Sequence, residues 1–173
     1  IQKIKIFTEK NNKKELLKFD SKNNQIFSII RNYKLQKLLF NNLKKSKFIK
    51  FKNNFNIDRS EYKLIINFDP THPFIKKYFS KKIEKNYNSF AYTTIINHKK
   101  LFNNKIAVQV FTKKGPIAFL PISAKQTSIV YSLRGNYFKN KNEIKKLIYK
   151  FNPRYEIIKI GNVSKFELNS SIL

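Results

Sequence analysis

Few residues in this sequence have the types and spacing that acid–base or metal chemistry requires. The two histidines, His72 and His98, belong to no HExxH or similar ligand pattern, and no G-x-S-x-G motif is present. His98 ends a predicted strand beside two lysines, so we expect it to be solvent-exposed rather than catalytic. His72 lies in a proline-rich loop, and the sequence leaves its role open. Ten acids accompany 37 bases, which favours carboxylates as surface counter-charges. The sequence therefore offers few of the residue patterns that hydrolytic enzymes use.

The sequence also lacks the motifs for glycine-rich nucleotide binding and the residue for thiol chemistry. The three glycines, Gly115, Gly135 and Gly161, are too widely separated for a G-x-G-x-x-G turn or a P-loop. The sequence contains no cysteine, which excludes a disulfide framework, a thiolate metal site and a cysteine nucleophile. We therefore predict no metal site, no catalytic side chain and no glycine-rich dinucleotide site within these residues.

The segment that could form a binding site is "KKGPIAFLPI", residues 113–122. Gly115 can adopt backbone angles that the preceding lysines avoid, and Pro116 and Pro121 each remove a backbone donor near one end of an apolar strand. Such a strand is expected at a sheet edge or facing a cavity. Because alternate residues share a face, one face would pack on the core and the other would line an apolar pocket. A plain β-hairpin is the alternative, and the pattern alone favours it.

The first half of the chain mixes short strands with one amphipathic helix. Leucines at helical spacing predict a helix that Asn32 caps and that extends to Leu43. The predicted strands are residues 1–8, 15–20, 48–51 and 62–68, the last as a compact, buried run. The two prolines of "DPTHP" (69–73) argue against a regular element there.

From Tyr87 onward the sequence is rich in β-branched and aromatic residues. Four strand candidates with short connections predict an antiparallel meander: 87–97, 106–112, 117–122 and 127–133. A second helix is expected over 140–151, with Asn140 and Glu143 as a capping pair. Late strands follow at 155–160 and 164–168. The predicted class is α+β, with a substantial antiparallel sheet in the second half.

The net charge of +27 suggests a polyanionic partner. The basic residues are nearly all lysine and are spread along a chain that is also rich in Asn and Ile, a composition that an A/T-rich genome produces without selection for such binding. Nucleic-acid readout also favours arginine with stacking aromatics. A basic α+β module that binds RNA or another polyanion is therefore a disfavoured alternative function. Weak affinity for anionic surfaces, including lipid headgroups, is expected.

The residues around the Gly-Pro segment resemble a known family. "AVQVFTKKGPIAFLPISAKQTSIVYSL" (107–133) is similar to the strand, Gly-Pro turn and strand of the flavin-dependent aromatic hydroxylases of ubiquinone biosynthesis, in the p-hydroxybenzoate hydroxylase class. "FSIIRNYKLQKLLFNNL" (27–43) resembles that family's helix entry, and "YKLIINFDPTHPFIKK" (62–77) its Asp-Gly motif region. "YEIIKIGNVSKFEL" (155–168) resembles the strands before its Gly-Asp motif. The resemblance covers nearly the whole chain in the same order.

The resemblance implies an α+β fold: an antiparallel substrate-binding sheet with flanking helices, plus part of an α/β FAD-binding domain. By the family pattern, residues 1–24 are substrate-domain strands, 25–80 belong to the FAD-binding domain and 81–173 form the substrate-binding sheet with one helix. We expect an internal piece of a longer enzyme, because the chain opens on Ile1 and contains no methionine. The family's main nucleotide motifs would then lie outside it.

The implied reaction is hydroxylation of a polyprenylated phenol by O₂ and reduced FAD, with NAD(P)H as the reductant. Gly115, Pro116, Phe119, Leu120 and Pro121 would form the wall of the substrate pocket and act by shape. The implied partners are the phenol, O₂ and other ubiquinone-biosynthesis proteins. The implied location is the cytoplasm, with peripheral contact at the inner face of the membrane.

Asp69 is the cofactor contact that the resemblance implies, but the surrounding motif departs from the family pattern. Asn67 and Pro70 replace the family's two glycines, and Pro73 and Lys76 stand at its Ser and Arg positions. A proline after the aspartate removes a backbone donor that could reach a phosphate. A catalytically dead remnant of such a hydroxylase is therefore a third alternative.

Overall fold

The computed structural model describes residues 1–10, 14–22, 24–52, 62–69, 72–78, 83–135 and 140–172. The chain divides into two compact units. The larger unit comprises Ile1–Ile30 and Lys85–Ser170, and the smaller one comprises Arg31–Glu84 and Ser171–Leu173. The assignment of substrate and FAD-binding roles to parts of the chain stays a prediction.

Eight strands and three helices are formed by the described residues. The strands are β1 (Lys3–Thr8), β2 (Leu17–Asp20), β3 (Ile83–His98), β4 (Ile106–Thr112), β5 (Gly115–Ser123), β6 (Gln126–Arg134), β7 (Ile157–Ile160) and β8 (Ser164–Ile172). The helices are α1 (Asn32–Leu43), α2 (Pro73–Tyr78) and α3 (Lys141–Phe151). The strands form one sheet in the order β2-β1-β4-β5-β6-β3-β7, and β8 also pairs with β3.

The sheet is mixed, and this corrects the predicted antiparallel sheet and its meander. β1 pairs with β4 in parallel, so that Phe7 lies opposite Val110. The meander is confirmed for β4, β5 and β6, but β3 pairs antiparallel with β6 instead of β4. Residues 99–105 carry the chain from β3 past two strands to β4, which leaves an edge of β4 free for β1. The α+β class is confirmed in this coarser form.

One face of the sheet is covered by α3, and the core of the larger unit lies between them. Ile144 and Ile148 of α3 are buried. They join a cluster of buried strand side chains: Tyr92, Ile96, Val108, Val110, Ile117, Phe119, Ile129, Tyr131 and Leu133. The Oδ1 of Asn140 caps α3 by accepting a hydrogen bond from the N–H of Asn142 at 2.9 Å. The amphipathic pattern of residues 140–151 thus packs as predicted.

The smaller unit contains the clearest disagreements with the predicted elements. Helix α1 is confirmed, although Arg31 rather than Asn32 occupies its N-cap position. The predicted strands at 48–51 and 62–68 are wrong, because neither segment forms a strand and the apolar side chains of 62–68 are exposed. An apolar run becomes a strand only where a neighbouring strand pairs its backbone groups. Helix α2 was missed; it begins at Pro73, whose lack of an N–H is tolerated in the first helical turn.

Candidate functional site on the open face of the sheet

The face of the sheet opposite α3 is the candidate site, and we call it the open sheet face. Its central row is Ile6, Gln109, Ala118, Val130 and Thr93, which are paired in this order across five strands. All five residues are half-buried. Directly paired residues share a face, and residues one position away on each strand point to the core side. The row is therefore a continuous surface rather than the rim of a loop.

Small and apolar side chains extend the open sheet face on both sides of this row. Leu120, Ser128 and Ile95 form a half-buried second row. Ala91 and Ser132 are paired on the other side. The short side chains leave the surface flat, and the aliphatic side chains make it apolar. None of the residues named on this face carries a charge. Such a surface suits a flat apolar ring.

The predicted pocket-wall residues are divided between the two faces of β5. Phe119 is fully buried in the core, where its ring stacks on that of Tyr155 with centroids 6.0 Å apart. Leu120 and Pro116 both lie on the open sheet face, two positions either side of Ala118, and Gly115 is half-buried at the start of β5. The geometry brings Pro116 and Leu120 onto one surface but places Phe119 on the opposite, core-facing side of the strand. Leu120 is placed to contact a ligand on the open sheet face, and the pocket-wall role stays a prediction.

A cavity of about 350 Å³ lies at the end of β5 and includes another predicted residue, Pro121. Ile122 and the exposed ring of Phe102 also line it. Ile122 is the extra residue at the register shift between β5 and β6, just beyond Leu120 and Pro121. The volume is at the lower end of the range for small-molecule pockets. The cavity thus lies at the end of β5, and its lining combines these apolar side chains with polar ones such as Asn103, Lys105 and Ser123.

Strand β5 is central in the sheet, which corrects the expectation of an edge strand freed by its prolines. It pairs with β4 from Gly115 to Phe119 and with β6 from Ile117 to Ser123. Pro116 is only the second residue of β5, and Pro121 lies beyond the pairing with β4 at a register shift toward β6. Prolines are tolerated at strand ends and bulges, where a ladder hydrogen bond is absent anyway.

The turn that leads into β5 is fixed by contacts with three elements. The Thr112 hydroxyl donates to the carbonyl of Gly115 at 2.6 Å. Glu9, just after β1, accepts a hydrogen bond from the N–H of Lys113 at 2.9 Å and pairs with Nζ of Lys150 in α3 at 3.2 Å. One carboxylate therefore joins the end of β1, the turn and the helix.

This arrangement predicts a pH-dependent contribution of Glu9 to stability. The hydrogen bond from the N–H of Lys113 is the main cause that lowers the pKa of Glu9 below its ordinary value of 4.5, with Lys150 adding and partial burial opposing. A lowered folded-state pKa stabilises the fold above the unfolded-state pKa, and the stabilisation is lost as the pH falls through the folded-state pKa. We expect Glu9→Gln to unfold at lower urea concentration than the wild type at neutral pH, and the difference to disappear in acid.

The control for this prediction is Glu156→Gln, which removes an exposed carboxylate paired with Lys99. Exposed ion pairs contribute about 0–1 kcal/mol, so this variant should lie close to the wild type at both pH values. A Glu9→Gln deficit that is equally large at neutral and acidic pH would show that the contact acts by packing instead of charge.

His98 is buried, which corrects its predicted exposure. It is 1% exposed, because it falls on the core-facing alternation of β3. Its Nδ1 lies 2.8 Å from the carbonyl oxygen of Lys99, to which it must donate, and its Nε2 lies 3.0 Å from the Thr127 hydroxyl. The ring also packs on Tyr155, with centroids 4.6 Å apart. Both ring nitrogens are thus engaged, and His98 holds the end of β3 against β6.

Asp69, the predicted cofactor contact, lies in a closed local turn of the smaller unit. Its N–H donates to Oδ1 of Asn67 at 3.1 Å. Its carbonyl accepts from Nδ2 of Asn67 at 3.0 Å and from the N–H of His72 at 3.2 Å. These backbone groups are therefore not directed at a phosphate. Pro70 and the side chain of Lys76 lie outside the described residues.

The residues present do not fit the FAD dinucleotide. Gly115 begins β5, Gly135 follows β6 and Gly161 follows β7, so in the described part of the chain no glycine-rich turn leads from a strand into a helix N-terminus. The same holds for NAD(P)H. Within the described ranges, no cluster of His, Asp and Glu could hold a metal ion, and no helix has the length and apolarity to cross a bilayer. We therefore derive no catalytic step from these residues.

Comparison with known proteins assigns no family to the chain. No family model and no curated protein matches it. Several solved structures are weakly similar, and two of them are a halogenase and a destructase. The flavin-dependent halogenase CmlS is 11% identical over 57% of this chain and 20% of its own length, with a TM-score of 0.36. The tetracycline destructase Tet(51) is 12% identical over 58% of this chain and 30% of its own, with a TM-score of 0.36.

These similarities are too weak to support an argument about function. The chain spans a fifth of the length of the halogenase and less than a third of that of the destructase. These weak structural neighbours include a flavin-dependent halogenase, and neither of the two bears on ubiquinone biosynthesis.

Proposed function

We propose that this chain is the substrate-binding part of a flavin-dependent aromatic monooxygenase. The substrate is an electron-rich phenol with an apolar tail, the polyprenylated phenol of ubiquinone biosynthesis. The observation that carries the proposal is the open sheet face, where uncharged, half-buried side chains continue across five paired strands. The resemblance of residues 107–133 to the hydroxylase family supplies the reaction class.

The open sheet face would bind the ring of the phenol by shape and by exclusion of water. Leu120 and Val130 provide apolar contact, and the alanine and serine side chains between them let a planar ring approach closely. Gln109 and Thr93 are the hydrogen-bonding groups of the central row, and either can engage a phenol hydroxyl. The cavity beside Ile122 takes the first part of the tail. The oxidative chemistry belongs to the flavin, and no step of it is assigned to these residues.

The test is binding of a methoxyphenol with a geranyl tail to the full 173-residue chain, measured by equilibrium dialysis. We expect Leu120→Asn to weaken binding about tenfold, because a polar side chain replaces an apolar contact of about 1.5 kcal/mol. The matched control is Tyr149→Ser, which removes an exposed apolar side chain from α3, the helix on the other face of the sheet. Thermal unfolding of both variants verifies that they are folded.

The proposal fails if the wild-type chain does not bind the phenol, or if both variants weaken binding equally. Binding of RNA that falls steeply with added salt, together with no phenol binding, would instead favour the polyanion module.

A further inference from the structure

The strongest feature outside the open sheet face is a continuous surface segment, residues 31–52, which we call the basic-apolar segment. It comprises α1 and the turns that follow it. None of the residues of α1 is buried, although half of them are large and apolar. These side chains are Tyr33, Leu35, Leu38, Leu39, Phe40 and Leu43. Helix α1 therefore has an apolar face that the structure leaves exposed to solvent.

Further exposed apolar side chains lie just beyond the helix. Phe48 is 86% exposed, and Phe51 is also exposed. The ring of Phe51 packs on that of Phe40 with centroids 5.0 Å apart, so the turns after the helix extend the apolar face of α1. Isolated exposed apolar residues are ordinary, but a contiguous apolar patch of this kind is typical of an interaction surface.

The charge of the basic-apolar segment indicates the kind of partner. No Asp or Glu occurs between Asp20 and Asp58. The basic residues of the segment are Arg31, Lys34, Lys37, Lys44, Lys45, Lys47, Lys50 and Lys52. The Nζ of Lys44 lies 4.5 Å from the centroid of Phe40, and that of Lys47 lies 5.3 Å from the centroid of Phe48. Cations thus stand directly beside the exposed aromatic rings.

This combination distinguishes between two classes of polyanion. A nucleic acid would use the cations and could stack on the phenylalanines, but it offers nothing to the exposed leucines of α1. The surface of an anionic bilayer uses both features, because it attracts lysine electrostatically and accepts apolar side chains among its acyl chains. Lysine stems can also lie along the apolar boundary with their charges at the headgroups.

We propose that the basic-apolar segment docks the protein on the surface of a bilayer that contains anionic lipids. Helix α1 lies in the plane of the interface, with its leucines and Phe48 inserted and its lysines among the headgroups. At 12 residues, α1 is an interfacial helix and does not cross the bilayer. The inference stands independently of the proposed enzymatic function, since it concerns other residues and another partner.

The experiment is co-flotation of the full chain with vesicles of phosphatidylcholine alone and of phosphatidylcholine mixed with phosphatidylglycerol. We expect binding to the mixed vesicles and little to the neutral ones. Replacing Lys44, Lys45 and Lys47 by glutamine should weaken binding about 100-fold, since each lysine near an anionic surface contributes about fivefold. The matched control replaces Lys141, Lys146 and Lys159, exposed lysines of the larger unit, and should bind within a few fold of the wild type.

A second pair of variants tests insertion. Leu38→Gln with Phe48→Gln should weaken binding about tenfold or more, whereas Phe102→Gln with Tyr149→Gln removes equally exposed apolar side chains elsewhere and should not. All of these positions are exposed, so the variants should stay folded. The proposal is overturned if the two lysine triples weaken binding equally, if Leu38→Gln with Phe48→Gln has no effect, or if a single-stranded oligonucleotide competes for the segment more tightly than the vesicles bind it.

Discussion

Replacing Phe119 by alanine is expected to lower the free energy of unfolding by about 3–5 kcal/mol. Phe119 is in the middle of β5, a strand paired on both sides, and its ring is fully buried. It stacks on Tyr155, with an angle of 18° between the rings. Truncation removes the transfer free energy of the ring and leaves a cavity that the paired strands around it cannot close. Urea unfolding followed by circular dichroism measures the loss.

The control is the next residue of the same strand, Leu120, which points to the open sheet face and is half-buried. Leu120→Ala should cost about 1–2 kcal/mol, because much of its surface is already in contact with water. A larger cost for Leu120→Ala than for Phe119→Ala would mean that the two faces of β5 are assigned the wrong way round. The comparison therefore separates the core-forming role of Phe119 from the pocket-wall role predicted for it.

Local pattern was sufficient wherever periodicity alone decides the element. The leucine spacing correctly places helix α1, and the capping residue Asn140 correctly places the start of α3. The alternation of apolar residues correctly places strand β5. The alternation also separates Phe119 from Leu120 before any tertiary information is used. What the pattern does not specify is which strands become neighbours, because pairing depends on residues distant in sequence.

His98 and Pro121 illustrate how this missing information changes a residue's role. The lysines beside His98 suggest solvent, but pairing of β3 with β6 brings Thr127 to its Nε2 and buries it. The prolines of β5 suggest an edge strand. Pro121, however, lies at a register shift, where no ladder hydrogen bond requires its missing N–H, so β5 can still be a central strand. In both cases the deciding contact comes from β6. The open sheet face is likewise invisible in sequence, because its central row is assembled from five strands.

The resemblance to hydroxylases and the geometry bear on different parts of the proposal. The resemblance points to Asp69 and a flavin, yet the backbone groups of Asp69 are engaged with Asn67 and His72. The geometry points to the open sheet face, which contains no reactive group. Substrate binding is thus the part of the enzymatic function for which the described residues supply the chemistry.

Replacing Gly115 by alanine should destabilise the larger unit by about 3 kcal/mol or more, from backbone strain and overpacking together. Gly115 begins β5 with a φ of +140°, a conformation that L-residues rarely adopt. A Cβ there would lie 2.0 Å from the carbonyl oxygen of Ser132. That oxygen is backbone in the neighbouring strand β6, where Ser132 is paired with Ala91 of β3, so it cannot move away without disturbing the pairing of β6 with β3. Urea unfolding of the full chain is again the measurement.

The matched control is Gly161→Ala, at a glycine that also approaches a backbone oxygen. A Cβ at Gly161 would lie 3.1 Å from the carbonyl oxygen of Ile95, a contact that a shift of a few tenths of an ångström relieves. We expect this variant to cost about 1 kcal/mol. If Gly115→Ala is no more destabilising than Gly161→Ala, the turn before β5 has an alternative conformation available to L-residues. The "KKGPIAFLPI" segment would then owe its shape to Glu9 and Thr112, which hold the turn from outside, and not to its glycine.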